Sequence, residues 1–149
     1  MEYHEAWSDG KTIVEHWGRV GDRGETRKHR LGWRKNAAAQ INKLLKKPRQ
    51  NGYIEIDAVD HKILIIEYAI AAEPRLGTSA DLAKRHAVED LMNEFLGWTG
   101  LGNCDGGSIG SGTMEICCLV VDYEAAERAV AKHLSETPFS DFTRIYRED

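Results

Sequence analysis

Two runs, KILIIEYAI over 62–70 and TMEICCLVV over 113–121, are apolar almost throughout and each is about one strand long. A segment of that composition has to be covered, so both runs read as strands near the middle of a sheet. The segments between and after them carry helical patterns. Thr78 and Asp81 have the spacing of a capping box, with Asp in place of Glu. Val88, Leu91, Met92, Phe95 and Leu96 then form one stripe, and Gly97 can end that helix. Asp122 can cap a second helix with Ala125, Ala126, Ala129, Val130, His133 and Leu134 on one face, with Pro138 just beyond. The glycine-rich GLGNCDGGSIGSG and the charged FTRIYRE are the poorer strands. The resulting order, β-α-β-β-α-β, is the ferredoxin-like plan. Its first and third strands are central and its second and fourth are edges, and the apolar runs fall on the first and third.

Charge divides the chain in the same place. Residues 1–56 hold 12 Lys and Arg against 7 Asp and Glu, while residues 57–149 hold 8 against 17. A net charge of −4 therefore hides a basic part and an acidic part. Trp7, Trp17 and Trp33 also belong to the basic part. With 149 residues, 42% hydrophobic and 30% charged, the chain can bury a core and is sized for one domain or two small ones. The expected fold class is α+β: a small β-rich module over 1–56, followed by an acidic ferredoxin-like module over 57–149.

The basic part reads as EYHEAW, a turn at Asp9-Gly10, TIVEHWGRV, a second turn at GDRG, and ETRKHRL. A helix is expected from about Asn36 to Lys47, with Ala37, Ala38, Ile41, Leu44 and Leu45 inward and Pro48 as its stop. A strand is expected around Tyr53–Ile56. Within HWGRVGDRGETRKHR, residues 16–30, positive charge gathers around an indole: Arg19, Arg23, Arg27, Lys28 and Arg30, opposed by Asp22 and Glu25 alone, with Arg34 and Lys35 just outside.

Trp17-Gly18-Arg19-Val20-Gly21 followed by Gly24 resembles the WGR domain, a family found in DNA-dependent poly(ADP-ribose) polymerases and in many bacterial proteins. The alanine-rich helix after the basic strand and the Gly52-Tyr53 pair extend the resemblance over roughly residues 3–56. It implies a grip on DNA at a break. Trp17 would pack on the sugar near a strand end, Arg19 would contact the backbone, and Arg27 would supply a second basic group from the next strand. It implies no ADP-ribosylation, since the polymerases' catalytic domain is not recognisable in the other 93 residues. That remainder looks similar to C-terminal segments of bacterial proteins to which no chemistry is assigned.

The residue types suit the implied role. An indole covers a sugar or base at low entropic cost. A guanidinium donates a fork of N–H groups to phosphate. Glycines beside the ring let the backbone approach. Alternation along a strand sends Lys28 and Arg30 to one face and Arg27 and His29 to the other. Trp17, Gly18, Arg19, Arg27, Lys28 and Arg30 are thus the candidate nucleic-acid-binding residues. Nothing among them reads base sequence, so the expected partner is DNA recognised by structure and held in a salt-sensitive way.

Other readings of the same residues stay open. Trp17 could be a core residue of a small sheet. The basic run could be a solvated edge, or could dock on the acidic module or on an acidic protein partner. The acidic module could serve a protein contact or temper affinity for bulk DNA. GNCDGGSIGSG matches no phosphate-binding loop in the required strand-to-helix setting and reads as a hairpin with bulges. Asp105 and Glu115 are a conceivable acid pair or metal site, and His16 a conceivable pH-dependent phosphate contact. Cys104, Cys117 and Cys118 read as reduced thiols, and the adjacent pair points to opposite faces, which argues against joint metal ligation. No cofactor, metal or catalytic group is expected, and the chain reads as a non-catalytic protein. The opening MEYHEAWSDG lacks a signal-peptide pattern, and no apolar run approaches the ~18 residues of a membrane span, so a cytoplasmic location without a membrane partner is expected.

Overall fold

The computed structural model describes residues 1–33, 36–71 and 77–148; Arg34 and Lys35 lie outside them. The first sheet is an antiparallel meander of β1 (Glu2–Asp9), β2 (Thr12–Arg19) and β3 (Glu25–Arg30), in that order. Asp9 pairs with Thr12, so Gly10 and Lys11 alone make the first turn. Helix α1 (Ala37–Gln50) is capped by the Asn36 side chain, which accepts from the Ala39 N–H, and packs across β1 and β2.

Two expectations for this part are corrected. Pro48 does not stop the helix but lies inside its last turn, where it is buried. A proline removes its own N–H and crowds the carbonyl four residues back, here that of Leu44, so the distortion falls within the last turns and only a few residues follow it. The next residues close the end: the Asn51 N–H reaches the Lys47 carbonyl at 3.0 Å and the Tyr53 N–H reaches the Pro48 carbonyl at 3.2 Å. The segment Tyr53–Ile56 is not a strand. It runs irregularly, tied by the Tyr53 hydroxyl donating to Glu2 at 2.9 Å and by an Arg49–Glu55 ion pair. A single 3-10 turn, Ala58–Asp60, follows.

The second sheet comprises β4 (Lys62–Ala69), β5 (Gly102–Gly110), β6 (Thr113–Val120) and β7 (Arg144–Glu148). Its order is β5-β6-β4-β7, with every neighbour antiparallel. The apolar runs are the two central strands, as their composition required, and the glycine-rich and charged strands are the edges. Helices α2 (Ser79–Trp98) and α3 (Tyr123–Ser135) complete the β-α-β-β-α-β order. Leu64, Ile66 and Tyr68 of β4 and Met114, Ile116, Cys118 and Val120 of β6 pack against Val88, Met92 and Leu96 of α2 and Ala126, Val130 and Leu134 of α3. The fold is α+β, as expected. No helix among the described residues is long and apolar enough to cross a membrane.

The glycine-rich strand pairs as an edge hairpin, with a register shift between Cys104 and Gly107. Cys104 lies opposite Cys118, their sulfurs 3.0 Å apart as free thiols, while Cys117 faces the other side of the sheet. A further correction concerns Gly97, which does not end α2. The helix runs on to Trp98, where the Thr99 hydroxyl donates to the Phe95 carbonyl at 2.7 Å. Packing of Trp98 against His16 and Trp7 supports these added residues.

At the other end of α2 the capping box forms as expected. The Asp81 N–H donates to the Thr78 hydroxyl oxygen at 3.2 Å, and the Asp81 carboxylate accepts from the Thr78 N–H at 2.8 Å. Thr78→Ala should lower the unfolding free energy by about 1 kcal/mol. Because the two side chains act on the same helix end, Thr78→Ala and Asp81→Ala should be less than additive in urea denaturation; strict additivity would mean the box is not a coupled unit.

Candidate nucleic-acid interface

Cross-strand register divides the first sheet into two faces. On one, His4 of β1 lies opposite Trp17 of β2, and Glu15 lies opposite Arg27 of β3. Glu15 is buried between two histidines, with His4 Nε2 at 3.0 Å and His29 Nε2 at 2.7 Å. Burial alone would raise its pKa, but the hydrogen bonds from His29 and His4 outweigh burial and hold the carboxyl below the usual glutamate range. The Trp17 ring is stacked on His4, with centroids 5.7 Å apart and planes 22° apart. From the other neighbouring strand, the Arg27 guanidinium lies 5.5 Å from the Trp17 centroid. Tyr53 meets His4 edge-on. Arg19, two residues from Trp17 on the same face, is exposed at the end of β2.

Trp17 is thus a half-buried indole flanked by an imidazole and a guanidinium. Trp17, Arg19 and Arg27 are brought to one face. Lys28 and Arg30 are exposed on the opposite one, since they pair with Val14 and Thr12. All three basic residues of β3 sit on an edge strand.

The second face is closed by Trp98. His16, at its centre, has no exposed surface. Its Nδ1 is 2.8 Å from the Glu5 carboxylate and its Nε2 is 2.9 Å from the Tyr3 hydroxyl. The Trp98 ring meets His16 edge-on at 5.1 Å and Trp7 at 6.1 Å, and Arg23 lies over it at 5.8 Å. His16 therefore cannot serve as a phosphate contact, a correction to the sequence reading: its neighbour Trp17 faces the opposite way, and alternation carries His16 inward.

Gly18 also faces inward. A Cβ on it would lie 2.8 Å from the Gly24 Cα, and a Cβ on Gly24 would lie 2.2 Å from both the Trp17 carbonyl oxygen and the Tyr3 hydroxyl. The motif's glycines let the two ends of the β2–β3 connection press together beneath Tyr3. That is a close approach of backbone to backbone, where the sequence reading expected one to a ligand. The connection is anchored to the second sheet's side by the Gly21 N–H donating to the Thr99 carbonyl at 2.9 Å.

Trp98 was missed as a site residue. The available signal was a tryptophan immediately after the supposed stop at Gly97, beyond the end of the buried stripe. Among the described residues, no ion pair joins Arg19, Arg27, Lys28 or Arg30 to an acidic residue of 57–149. The contact between the two parts is largely aromatic, with the Gly21–Thr99 backbone bond and Val20 beside it. Glu115 is bonded by Ser108 and Tyr146, each at 2.9 Å, so it forms a cross-strand contact and not a pair with Asp105.

Residues 1–60 match the family model of the WGR domain, a family of nucleic-acid-binding modules that are not themselves catalytic. No match was found among curated proteins or among solved structures.

Two outcomes follow from this geometry. Glu15 has a depressed folded pKa, so its stabilising contribution is present above the unfolded glutamate value of about 4.3 and is lost as pH falls through the lower folded value. Glu15→Gln should flatten the acid side of a melting-temperature profile taken between about pH 6 and pH 3; an unchanged acid slope would show that the two histidines do not hold this carboxylate charged. Gly100 has φ +61°, and a Cβ there would lie 2.3 Å from the Tyr3 ring. Gly100→Ala should cost about 2–4 kcal/mol in urea denaturation, through backbone strain and displacement of Tyr3.

Proposed function

We propose that this protein binds nucleic acid without catalysis, and that its target is double-stranded DNA at ends or nicks. The observation that carries the reading is the Trp17 indole at the end of β2. Its ring is half-buried, the Arg27 guanidinium stands 5.5 Å from it, and Arg19 is exposed on the same face, within the segment matching the WGR domain.

In this reading Trp17 packs on a sugar at a strand end, where the ring faces no second base pair. Arg19 and Arg27 hold the flanking phosphates through their N–H forks. Arg27 starts over the ring, so binding moves its guanidinium to a phosphate as the ring is covered by sugar. Lys28 and Arg30 project from the far side of the edge strand and add long-range attraction. Gly18 acts indirectly, by fixing the backbone on which Trp17 and Arg19 stand. No group in this set reads a base edge, so selectivity comes from DNA shape. The acidic part, residues 57–149, serves a protein contact or tempers affinity for bulk duplex. The division into modules at residue 56 belongs to the same proposal.

The test is a titration of fluorescent nicked, blunt-ended and end-blocked duplexes across a salt series. Wild type should prefer nicks or free ends and lose affinity steeply with salt. Arg19→Ala and Arg27→Ala should each reduce the salt slope by about 1, and Trp17→Ala should abolish end preference without unfolding the chain. Absence of binding at low salt would leave the basic surface to an acidic protein partner, and full end preference in folded Trp17→Ala would remove the indole from the DNA contact.

A further inference from the structure

A crevice of about 340 Å³ opens beside Trp98, on the side of the first sheet away from Trp17. Leu91, Glu94, Phe95 and Trp98 line it from successive turns of α2, His133 from α3, and Arg23 from the β2–β3 connection. Three of its lining residues, Phe95, Trp98 and His133, carry aromatic rings. Phe95 and His133 are stacked in parallel, with centroids 4.1 Å apart and planes 6° apart. Trp98 is half-exposed, and Arg23 stands 5.8 Å from its centroid. The His133 Nε2 is buried without a hydrogen-bond partner. Beside these rings are one exposed cation, Arg23, and one exposed carboxylate, Glu94.

We propose that this crevice binds a nucleobase carrying a phosphate. Aromatic side chains reward a flat ring laid against their exposed faces or edges. A carboxylate at the rim accepts from the amino or imino N–H groups on a base edge. The Arg23 guanidinium donates to the phosphate that such a base carries. Arg23 lies within the Trp-Gly-Arg segment's own turn, so the site is assembled from both parts of the chain. The ligand chemistry has two sources: a free mononucleotide, or an unpaired base at the end of a DNA strand. The second source rests on the DNA-binding reading above; the first does not.

The experiment follows the tryptophan indole and histidine ring signals by NMR as AMP, GMP, CMP and TMP are added in turn to the full chain. In parallel, affinities are measured for a blunt duplex and for the same duplex with a single unpaired nucleotide at its end. The variants are Arg23→Ala and Glu94→Gln, whose side chains are exposed, and Phe95→Leu, which replaces a partly buried lining ring with an apolar side chain, with Trp17→Ala as a contrast. Nucleotide-induced shifts at Trp98 and His133, weakened about five- to tenfold in Arg23→Ala and Phe95→Leu and retained in Trp17→Ala, support the site. Nucleotide binding without an overhang preference assigns a free nucleotide. An overhang preference lost in the same variants assigns an unpaired base. Failure of every duplex to bind, with mononucleotide binding intact, sinks the DNA reading and leaves this site standing. No response to mononucleotides and no overhang preference, or responses that all three crevice variants leave unchanged, overturns the proposal.

Discussion

A buried imidazole holds the first sheet in place. His16 has no exposed surface, yet both ring nitrogens are matched, by the Glu5 carboxylate and the Tyr3 hydroxyl. An unmatched polar group at such a site would cost a large part of a small domain's stability. The match also fixes where Tyr3 sits. Its ring lies against Gly100 and its hydroxyl beside Gly24, so the approach of Gly18 to Gly24 and the docking of α2 depend on the same phenol. Because His16 points inward, alternation forces Trp17 outward to the face with Arg27 and His4. The position of the candidate DNA-contacting indole thus follows from the burial of its neighbour.

Where the sequence could be read, it was read through burial patterns. KILIIEYAI and TMEICCLVV had to be central, and the Thr78–Asp81 spacing had to cap a helix, because each signal is local and has one physical solution. The misreadings share another origin. Pro48 and Gly97 are breakers by propensity, but both stand near a helix end, where tertiary packing decides which turn is last. Tyr53–Ile56 has the side chains of a strand, but its Tyr53 hydroxyl and Glu55 carboxylate bind neighbouring elements and its backbone joins no sheet. His16 and Trp98 are 82 residues apart, and nothing in either one's neighbourhood announces the other. The candidate interface was legible as a set of residues. Its split across two faces was legible from alternation, but the clasp of Glu15 by two histidines was not, since it needs the register of three strands.

Among the described residues no ion pair joins the basic residues of β3 to the acidic part. The seam is largely aromatic, with Trp98 against His16 and Trp7, Tyr3 against Gly100 and Arg23 over the Trp98 indole, joined by the Gly21–Thr99 backbone bond and by Val20 on the core. Such contacts survive ionic strengths that would dissolve a charged interface. The basic residues of β3 are left available on an edge strand, and the seam can persist under the same salt that weakens phosphate contacts. Electrostatics can then serve binding while aromatic packing serves architecture.

The seam also sets an order of events in synthesis. The meander of β1, β2 and β3 is made of neighbouring hairpins and can form as soon as it leaves the ribosome. Its His16 face stays uncovered until the end of α2 has been translated, and the β4–β7 pairing, which joins Ile63 to Glu148, must wait for β7. Between the completion of β3 at Arg30 and the arrival of Trp98, a nascent chain therefore carries a basic sheet with an open aromatic face. The interval before Trp98 arrives is the one in which a chaperone would find something to hold.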